Sequence, residues 1–331
     1  MRINYINLVF FYNFNIFKYT ELTIINMASV KPNDLSFKYE SFGLKIHFEI
    51  LLPELRPLES ETADITIYLG EVDLPQGNVL NEGFSFNVTK NAIYRFWDDI
   101  GKFKITKCSI TVDPAHGLNK IILRSFLLGT VFATLLRLRG LFVLHTSSVN
   151  INGSAIAFSG FKGYGKSTTA MAFYNEGYPV VADDYIAIEF DNNDIPIISP
   201  GFPSLRLTSK SRQAMGLNYN KTNLKKDIND KTSSSVPRSY SSNKIPLKKI
   251  YILQRGTESK IIDLKPQKSF IELVKNTFGI HMFSNSELLN NFFHSERLLK
   301  SIDVSILEVP NSLKDIQKVI KIIEEEIGDG L

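Results

Sequence analysis

The chain of 331 residues is long enough for one large domain or two ordinary ones, and 44% apolar residues can fill a sizeable core. The formal net charge of +4 is a small surplus spread along the chain, so we expect no nucleic-acid partner. The single cysteine, Cys108, excludes a disulfide within the chain and favours a reducing, cytoplasmic location.

The first 26 residues are apolar and aromatic, but asparagines and Lys18 interrupt them repeatedly. They contain no small-residue cleavage site and no uninterrupted stretch that would span a bilayer. Because Met27 follows directly, we expect residues 1–26 to be a non-structural extension of the reading frame.

Residues 27–118 predict a β-rich N-terminal domain. Segments 65–72, 84–89 and 102–112 are rich in β-branched and aromatic residues with partial alternation. The sequence Asp99-Ile100-Gly101 indicates a hairpin turn. No residue of this region indicates a particular chemistry.

Residues 119–331 predict a second domain that begins with a buried helix. The apolar segment 121–140 is uncharged only between Arg124 and Arg137, which is too short to cross a bilayer, and it ends at Gly140. We therefore expect no membrane association. Strands and helices alternate after this helix, which favours an α/β sheet.

The sequence SGFKGYGKSTTA predicts a phosphate-binding loop. Gly160, Gly165, Lys166 and Ser167 match the Walker A pattern G-x-x-x-x-G-K-[ST]. In such a loop the backbone N–H groups surround nucleotide phosphates, the lysine contacts the β- and γ-phosphates, and the serine hydroxyl binds Mg²⁺. The alternative interpretation is a glycine-rich surface turn.

The elements around this loop agree with the pattern. Residues 154–158 predict a buried strand, and residues 166–176 predict a helix that ends at Gly177. ATP and Mg²⁺ are therefore the expected cofactors. The expected nucleotide-binding residues are Gly160, Gly163, Tyr164, Gly165, Lys166, Ser167 and Thr168.

Two aspartates, Asp183 and Asp184, end the apolar segment YPVVADDY shortly after the loop helix. We expect this strand to lie next to the strand that precedes the loop, with its carboxyl end facing the phosphates. Successive side chains of a strand point in different directions, so one carboxylate can reach a metal ion while the other reaches an acceptor hydroxyl. The alternative is that the pair caps a turn.

The C-terminal third contains a polar segment between folded elements. Residues 208–249 are rich in Lys, Asn and Ser, which predicts either a solvated, flexible insertion or a lid that orders on binding. A strand at 248–255 and helices near 268–278 and 285–300 follow. A last helix after Pro310 ends at Gly328, and its predicted apolar face comprises Leu313, Ile316, Val319, Ile320, Ile323 and Ile327.

Residues 140–190 resemble the catalytic core of the HPr kinase/phosphorylase family, in which a histidine, a loop ending in Gly-Lys-Ser and a strand ending in Asp-Asp follow in this order. A looser likeness extends through PGFPSLRL and KKIYILQRG. The resemblance implies a P-loop kinase-like α/β core of the HPr kinase type. It implies that Lys166 and the loop amides bind ATP, that Ser167 and Asp184 hold Mg²⁺, and that Asp183 accepts the proton of a substrate serine. His145, which on its own is more often a core residue, is then positioned to tune Asp183.

The chain also departs from the family pattern. The segment IISPGFPSLRLTS lacks the Glu-containing signature associated with dephosphorylation, and Thr168 stands where those enzymes often have Glu. The resemblance therefore leaves the acceptor and any phosphorylase activity open. Arg206 and Arg255 either supply positive charge to the γ-phosphate or the substrate, or are solvated.

The sequence thus predicts an ATP- and Mg²⁺-dependent serine kinase with a protein or peptide substrate. One alternative is a regulatory nucleotide-binding module with slow or no ATP hydrolysis. Others are a kinase of a small molecule or of a natural-product precursor peptide, as in some members of the related group, and an enzyme nearer to ATP-dependent PEP carboxykinase. A homo-oligomer is left open.

Overall fold

A computed structural model describes residues 37–202, 204–208, 211, 231–235, 243–282, 285–310 and 315–328. The described residues all belong to one compact unit. The predicted extension, residues 1–26, and Leu313 of the last helix lie outside them.

The N-terminal part of the described chain forms a nine-stranded sheet. Its strands are β1 (Phe37–Ser41), β2 (Leu44–Phe48), β3 (Arg56–Pro57), β4 (Ile65–Leu69), β5 (Asn81–Gly83), β6 (Phe86–Val88), β7 (Ile93–Trp97), β8 (Gly101–Ile105) and β9 (Ser109–Pro114). Their spatial order is β3-β1-β2-β4-β9-β8-β7-β6-β5. Only the contacts of β4 with β2 and β9 are parallel. The hairpin predicted at Asp99-Ile100-Gly101 is confirmed, since it joins β7 to β8 with Trp97 paired to Gly101.

A kinked helical segment covers the first sheet. It consists of α1 (Lys120–Phe126), a π-helical turn (Leu127–Val131) and α2 (Phe132–Leu138), and Gly129 interrupts it with φ −89° and ψ −110°. This stretch is long and apolar enough to cross a membrane. It is 67% buried inside the protein, however, and buried core helices of soluble proteins have the same length and composition. The buried helix predicted here is confirmed. Residues of the sheet, such as Phe103, and of the helical segment, such as Phe132, share one apolar core.

The second sheet follows. Its strands are β10 (Phe142–Leu144), β11 (Thr146–Ile151), β12 (Ser154–Ser159), β13 (Val180–Ala182), β14 (Ile186–Phe190), β15 (Pro196–Ile198), β18 (Ile245–Gly256), β19 (Lys260–Asp263) and β20 (Asp303–Pro310), while β16 (Ser204–Thr208) and β17 (Lys231–Ser235) form a separate pair. The main order is β10-β14-β15-β18-β12-β11-β13, with β20 beside β18 and β19 beside β20. The described residues thus form a mixed α/β fold with two large sheets.

In the described part of the chain, four helices flank the second sheet, namely α3 (Lys166–Asn175), α4 (Pro266–Asn276), α5 (Asn285–Ser301) and α6 (Ile316–Gly328). All four lie within two residues of their predicted positions, apart from the start of α6. On β12, Ile156 and Phe158 pack in one core with α3 and α6. Ala155 and Ala157 pack in another with α4 and α5. Burial on both faces explains why this strand has a continuous apolar sequence.

The segment predicted as an insertion, residues 208–249, contains described strand residues. Lys231–Ser235 pair with β16, and β18 already begins at Ile245. Residues 209–210, 212–230 and 236–242 lie outside the described chain.

The predicted position of the strand that ends in Asp-Asp is wrong. This strand is β13, and it pairs with β11 rather than with β12. A tight turn at Asn152 and Gly153, with φ of 50° and 82°, folds β11 back on β12, so β11 occupies the neighbouring position. Because β11 is antiparallel to both strands, β12 and β13 run in the same direction and their carboxyl ends meet at one edge of the sheet.

Candidate functional site

The glycine loop, residues 160–165, connects the end of β12 to the start of α3. Gly160, Gly163 and Gly165 all have positive φ, at 132°, 88° and 97°. At Gly160 a Cβ atom would stand 2.9 Å from the carbonyl oxygen of Leu253 on β18, so only glycine fits there. The Gly160 N–H donates to Asn276 Oδ1 at 3.1 Å, which anchors the loop to the end of α4.

The loop opens onto the N-terminus of α3. The N-cap is Gly165, which has no side chain to occupy the first backbone N–H groups of the helix. Lys166 is only 8% exposed. Its Nζ donates to the carbonyl oxygen of Gly160 at 2.8 Å and to that of Phe161 at 3.4 Å. The ammonium group therefore lies across the loop, beside the positive end of the helix dipole.

The next two residues of α3 carry hydroxyl groups. Ser167 is half-buried on the first turn. The Thr168 hydroxyl forms a hydrogen bond of 3.0 Å with that of Ser211, which links α3 to the end of β16.

Arg255, near the end of β18, contacts the glycine loop. Its Nη2 donates to the Gly163 carbonyl oxygen at 2.8 Å, and its guanidinium carbon lies 5.9 Å from the ring centroid of Tyr164. Tyr164 packs edge-to-face against the exposed ring of Phe161. The structure thus places Arg255 at the loop, with its guanidinium held by a loop carbonyl.

Asp183 follows β13 at the same sheet edge as the glycine loop. In β11, Thr146 pairs with the last residue of β12, Ser159, and Ser148 pairs with the last residue of β13. Asp183 is 6% exposed. Its Oδ1 accepts from the Ser147 hydroxyl at 2.5 Å, and its Oδ2 accepts from the backbone N–H of Arg206 at 2.8 Å. Two donors therefore orient this buried carboxylate.

Asp184 adopts a left-handed backbone conformation with φ 66°. Its Oδ2 accepts from Arg206 Nη1 at 2.5 Å, and Arg206 Nη2 donates to the Ser125 hydroxyl at 2.7 Å. The two aspartates thus use different parts of one residue, since Asp183 binds the backbone of Arg206 and Asp184 binds its guanidinium. This arrangement ties the carboxyl end of β13 to β16 and to α1.

His145 lies between β10 and β11. Its backbone N–H donates to the carbonyl oxygen of Asn276 at 2.9 Å, and its ring packs edge-to-face on Tyr185 at 5.3 Å. Burial raises the pKa of Tyr185 well above its ordinary value, and the negative charge of Asp184 raises it further. The Tyr185 phenol is therefore neutral at physiological pH.

A cavity of about 650 Å³ opens beside the glycine loop. The loop contributes Gly160, Phe161, Lys162 and Tyr164 to its wall, and His145 and Tyr185 line it as well. The end of α4 and residues 277–281 also line the cavity, and Arg95 reaches it from the first sheet. Its size suits a small substrate or a peptide side chain with its neighbours.

Ser147, Asn276, Arg95, Tyr185 and Lys162 belong to this site but were not predicted from the sequence. Ser147 had a weak signal, because it belongs to the hydroxyl-rich segment that follows His145. Asn276 had none, since it lies 116 positions from the glycine that it binds. Within the described parts of the chain, no group of three or more His, Cys, Asp or Glu side chains could hold a metal ion by itself.

No protein-family model matches the chain, and no curated protein matches it. Among solved structures, the chain is similar to one described as the structure of the Hpr(Ser) kinase/phosphatase from Coxiella burnetii. The two share 12% sequence identity over 56% of this chain and 98% of that chain, with a TM-score of 0.30. At this identity and TM-score the likeness carries no argument about function, which has to come from the chain's own residues.

Proposed function

We propose that this chain is an ATP- and Mg²⁺-dependent kinase that phosphorylates a serine hydroxyl of a protein or peptide in the cytoplasm, using a P-loop core of the HPr kinase type. The single observation that carries the proposal is the position of Asp183. Its oriented carboxylate follows β13 at the same sheet edge as the glycine loop. A protein that only binds a nucleotide has no need of a second carboxylate at this position.

The residues of the glycine loop fit the phosphates of ATP. Apart from the adjoining backbone, no heavy atom of the described residues lies within 4 Å of the Cβ position that an alanine would have at Gly163 or Gly165, so phosphate oxygens can approach the backbone there. The amide groups at the start of α3 and the Lys166 ammonium supply hydrogen-bond donors and positive charge. Lys166 would exchange its bonds to loop carbonyls for bonds to the β- and γ-phosphates.

The donor set at the start of α3 and the end of β13 fits Mg²⁺. The Ser167 hydroxyl and the Asp184 carboxylate are oxygen ligands, and Mg²⁺ in such sites takes its other ligands from phosphates and water. When bound, the ion would neutralise charge on the β- and γ-phosphates. Asp184 would then divide its two oxygens between the ion and Arg206, which holds the carboxylate in place.

The transfer step assigned to Asp183 is proton removal from the acceptor serine. As the serine oxygen forms its bond to the γ-phosphorus, the bond between that phosphorus and the β–γ bridging oxygen breaks, ADP leaves, and the proton moves to the Asp183 carboxylate. Each carboxylate oxygen has two lone pairs, so Asp183 can accept this proton while it keeps the bonds from Ser147 and Arg206. The acceptor would approach through the cavity that His145 and Tyr185 line.

The test is transfer of labelled phosphate from ATP to a library of serine peptides, combined with calorimetry of ATP binding. We expect Asp183→Asn to lower transfer by about 10²–10⁴-fold, the usual contribution of a general base, with ATP affinity unchanged. Asp98→Asn is the matched control, because it makes the same change in the exposed β7–β8 turn.

Two outcomes would contradict the proposal. If Asp183→Asn lowers transfer and ATP binding equally, the role of Asp183 is structural. If the wild-type protein binds ATP but phosphorylates no acceptor, the chain is a regulatory nucleotide-binding module rather than a kinase.

A further inference from the structure

Arg95 brings a buried positive charge from the first sheet to the cavity beside the glycine loop. It lies on β7, is 7% exposed, and is the only residue of the first sheet among the described residues that line this cavity. The sheet therefore contributes a functional group to a space that is otherwise formed by the second sheet, its connections and the helical segment.

The contacts of Arg95 do not neutralise its charge. Its Nη1 donates to the sulfur of Met282 at 2.9 Å, and its guanidinium carbon lies 4.9 Å from the ring centroid of Trp97. A thioether is a weak acceptor. Within the described residues, Arg95 Nε is buried without a hydrogen-bond partner, and no carboxylate forms an ion pair with the guanidinium. Burying a cation in this way costs free energy unless an anion compensates for it.

Most of the other charged side chains that line the cavity are positive as well. Among the described residues, its lining contains four cationic residues, Arg95, Lys162, Arg255 and Lys275, and one carboxylate, Glu272. Glu272 already forms an ion pair of 2.6 Å with Lys275. Burial lowers the pKa of Arg95 only to about 10, so the guanidinium stays charged at neutral pH. The cavity thus has a surplus of positive charge beside the glycine loop.

We propose that this cavity binds an oxyanion, either a carboxylate or a phosphate group, through the guanidinium of Arg95. A guanidinium presents paired N–H donors that match two oxygens of such a group. Building on the proposed kinase function, the oxyanion belongs to the acceptor substrate. Acceptors are then serine-containing molecules with a carboxylate or phosphate close to the reacting hydroxyl, and the first sheet supplies the selectivity for them.

The chain contains its own reporter for this binding. Trp97 is the only tryptophan, and it lies against the Arg95 guanidinium. Its fluorescence can be titrated with inorganic phosphate and with succinate, and with glycerol as the neutral comparison. We expect a saturable response to the two anions and none to glycerol.

Three variants test which side chain the fluorescence response to anions depends on. Arg95→Met should weaken anion binding at least tenfold, and Lys104→Met, on an exposed position of the neighbouring strand β8, should leave it unchanged. The response should persist in Lys166→Ala, which removes the cation of the glycine loop. Anion affinity that is unchanged in Arg95→Met, or no saturable response in the wild-type protein, would overturn the oxyanion site. The comparison of anions with glycerol uses the wild-type protein, so it tests the oxyanion site even if Arg95→Met fails to fold.

Steady-state kinetics then test the assignment to the acceptor. Arg95→Lys should raise KM for a serine peptide with a free C-terminal carboxylate and leave KM unchanged for the same peptide as an amide. Free phosphate should compete with the acidic peptide. If phosphate changes the rate without competing, the assignment of the oxyanion to the acceptor is refuted. Because the fluorescence titration needs no turnover, failure of the kinase proposal and failure of the oxyanion site give different results.

Discussion

Replacing Gly160 by alanine should destabilise the protein far more than the same change three residues later at Gly163. Both residues have positive φ, which costs an alanine about 1–2 kcal/mol. At Gly160 the new Cβ would also stand 2.9 Å from Leu253 O and 3.5 Å from Leu253 Cβ, whereas at Gly163 no described heavy atom beyond the two neighbouring residues lies within 4 Å. Relieving this overlap costs about 1–3 kcal/mol more, the usual range for inserting a methyl group into a packed site.

Urea unfolding of the two nucleotide-free variants measures this difference, because both variants place an alanine at a positive φ and only one adds the overlap with Leu253. The Gly160 variant should also show a smaller rise in melting temperature with Mg²⁺ and ATP, since a displaced loop loses the bonds from Gly160 N–H to Asn276 and from Lys166 to Gly160 O. Unrelated single substitutions differ in unfolding free energy by up to about 0.5 kcal/mol. If the two variants agree within this range, the close contact between the loop and β18 does not constrain the fold.

Three further predictions address the site and its surroundings. Lys166→Ala should lower the ATP affinity measured by calorimetry more than tenfold, where a factor of ten corresponds to about 1.4 kcal/mol. The control Lys268→Ala, at an exposed position of α4, should have no effect. If Lys166→Ala keeps the wild-type affinity, the loop is not the nucleotide site. Ser147→Ala should lower the free energy of unfolding by about 1–3 kcal/mol, because it removes a donor from the buried Asp183 carboxylate; an unchanged value would mean that this bond adds nothing to stability. Burial lowers the pKa of His294 below the ordinary 6.5, and the positive charges of Arg137 and Arg297 lower it further. The neutral His294 ring therefore contributes its full stabilisation above about pH 6.5, and this contribution is lost as the pH falls through the lowered pKa. The free energy of unfolding should therefore fall with pH below about 6.5, and His294→Gln should reduce that fall; an equal pH dependence in the variant would contradict the burial argument.

Much of the local structure follows from the sequence. Neighbouring residues determine the apolar run of β12, the glycines of the loop and the end of α3 just before Gly177. The β7–β8 hairpin and α4 to α6 likewise lie where local periodicity and turn residues predict them. The order of these elements was enough to predict a mixed α/β fold and a phosphate-binding loop, while the roles of the individual site residues stay predictions.

Pairing between distant segments was decided only by the tertiary structure. Sequence order suggested that β13 lies beside β12, but the local hairpin places β11 between them, and a strand position can be filled only once. Only the tertiary structure shows which donors orient Asp183, that Asn276 contacts Gly160, and that Arg95 lines the cavity. Local sequence determines which backbone conformations a segment prefers, whereas the packing of two sheets around shared cores determines which side chains meet.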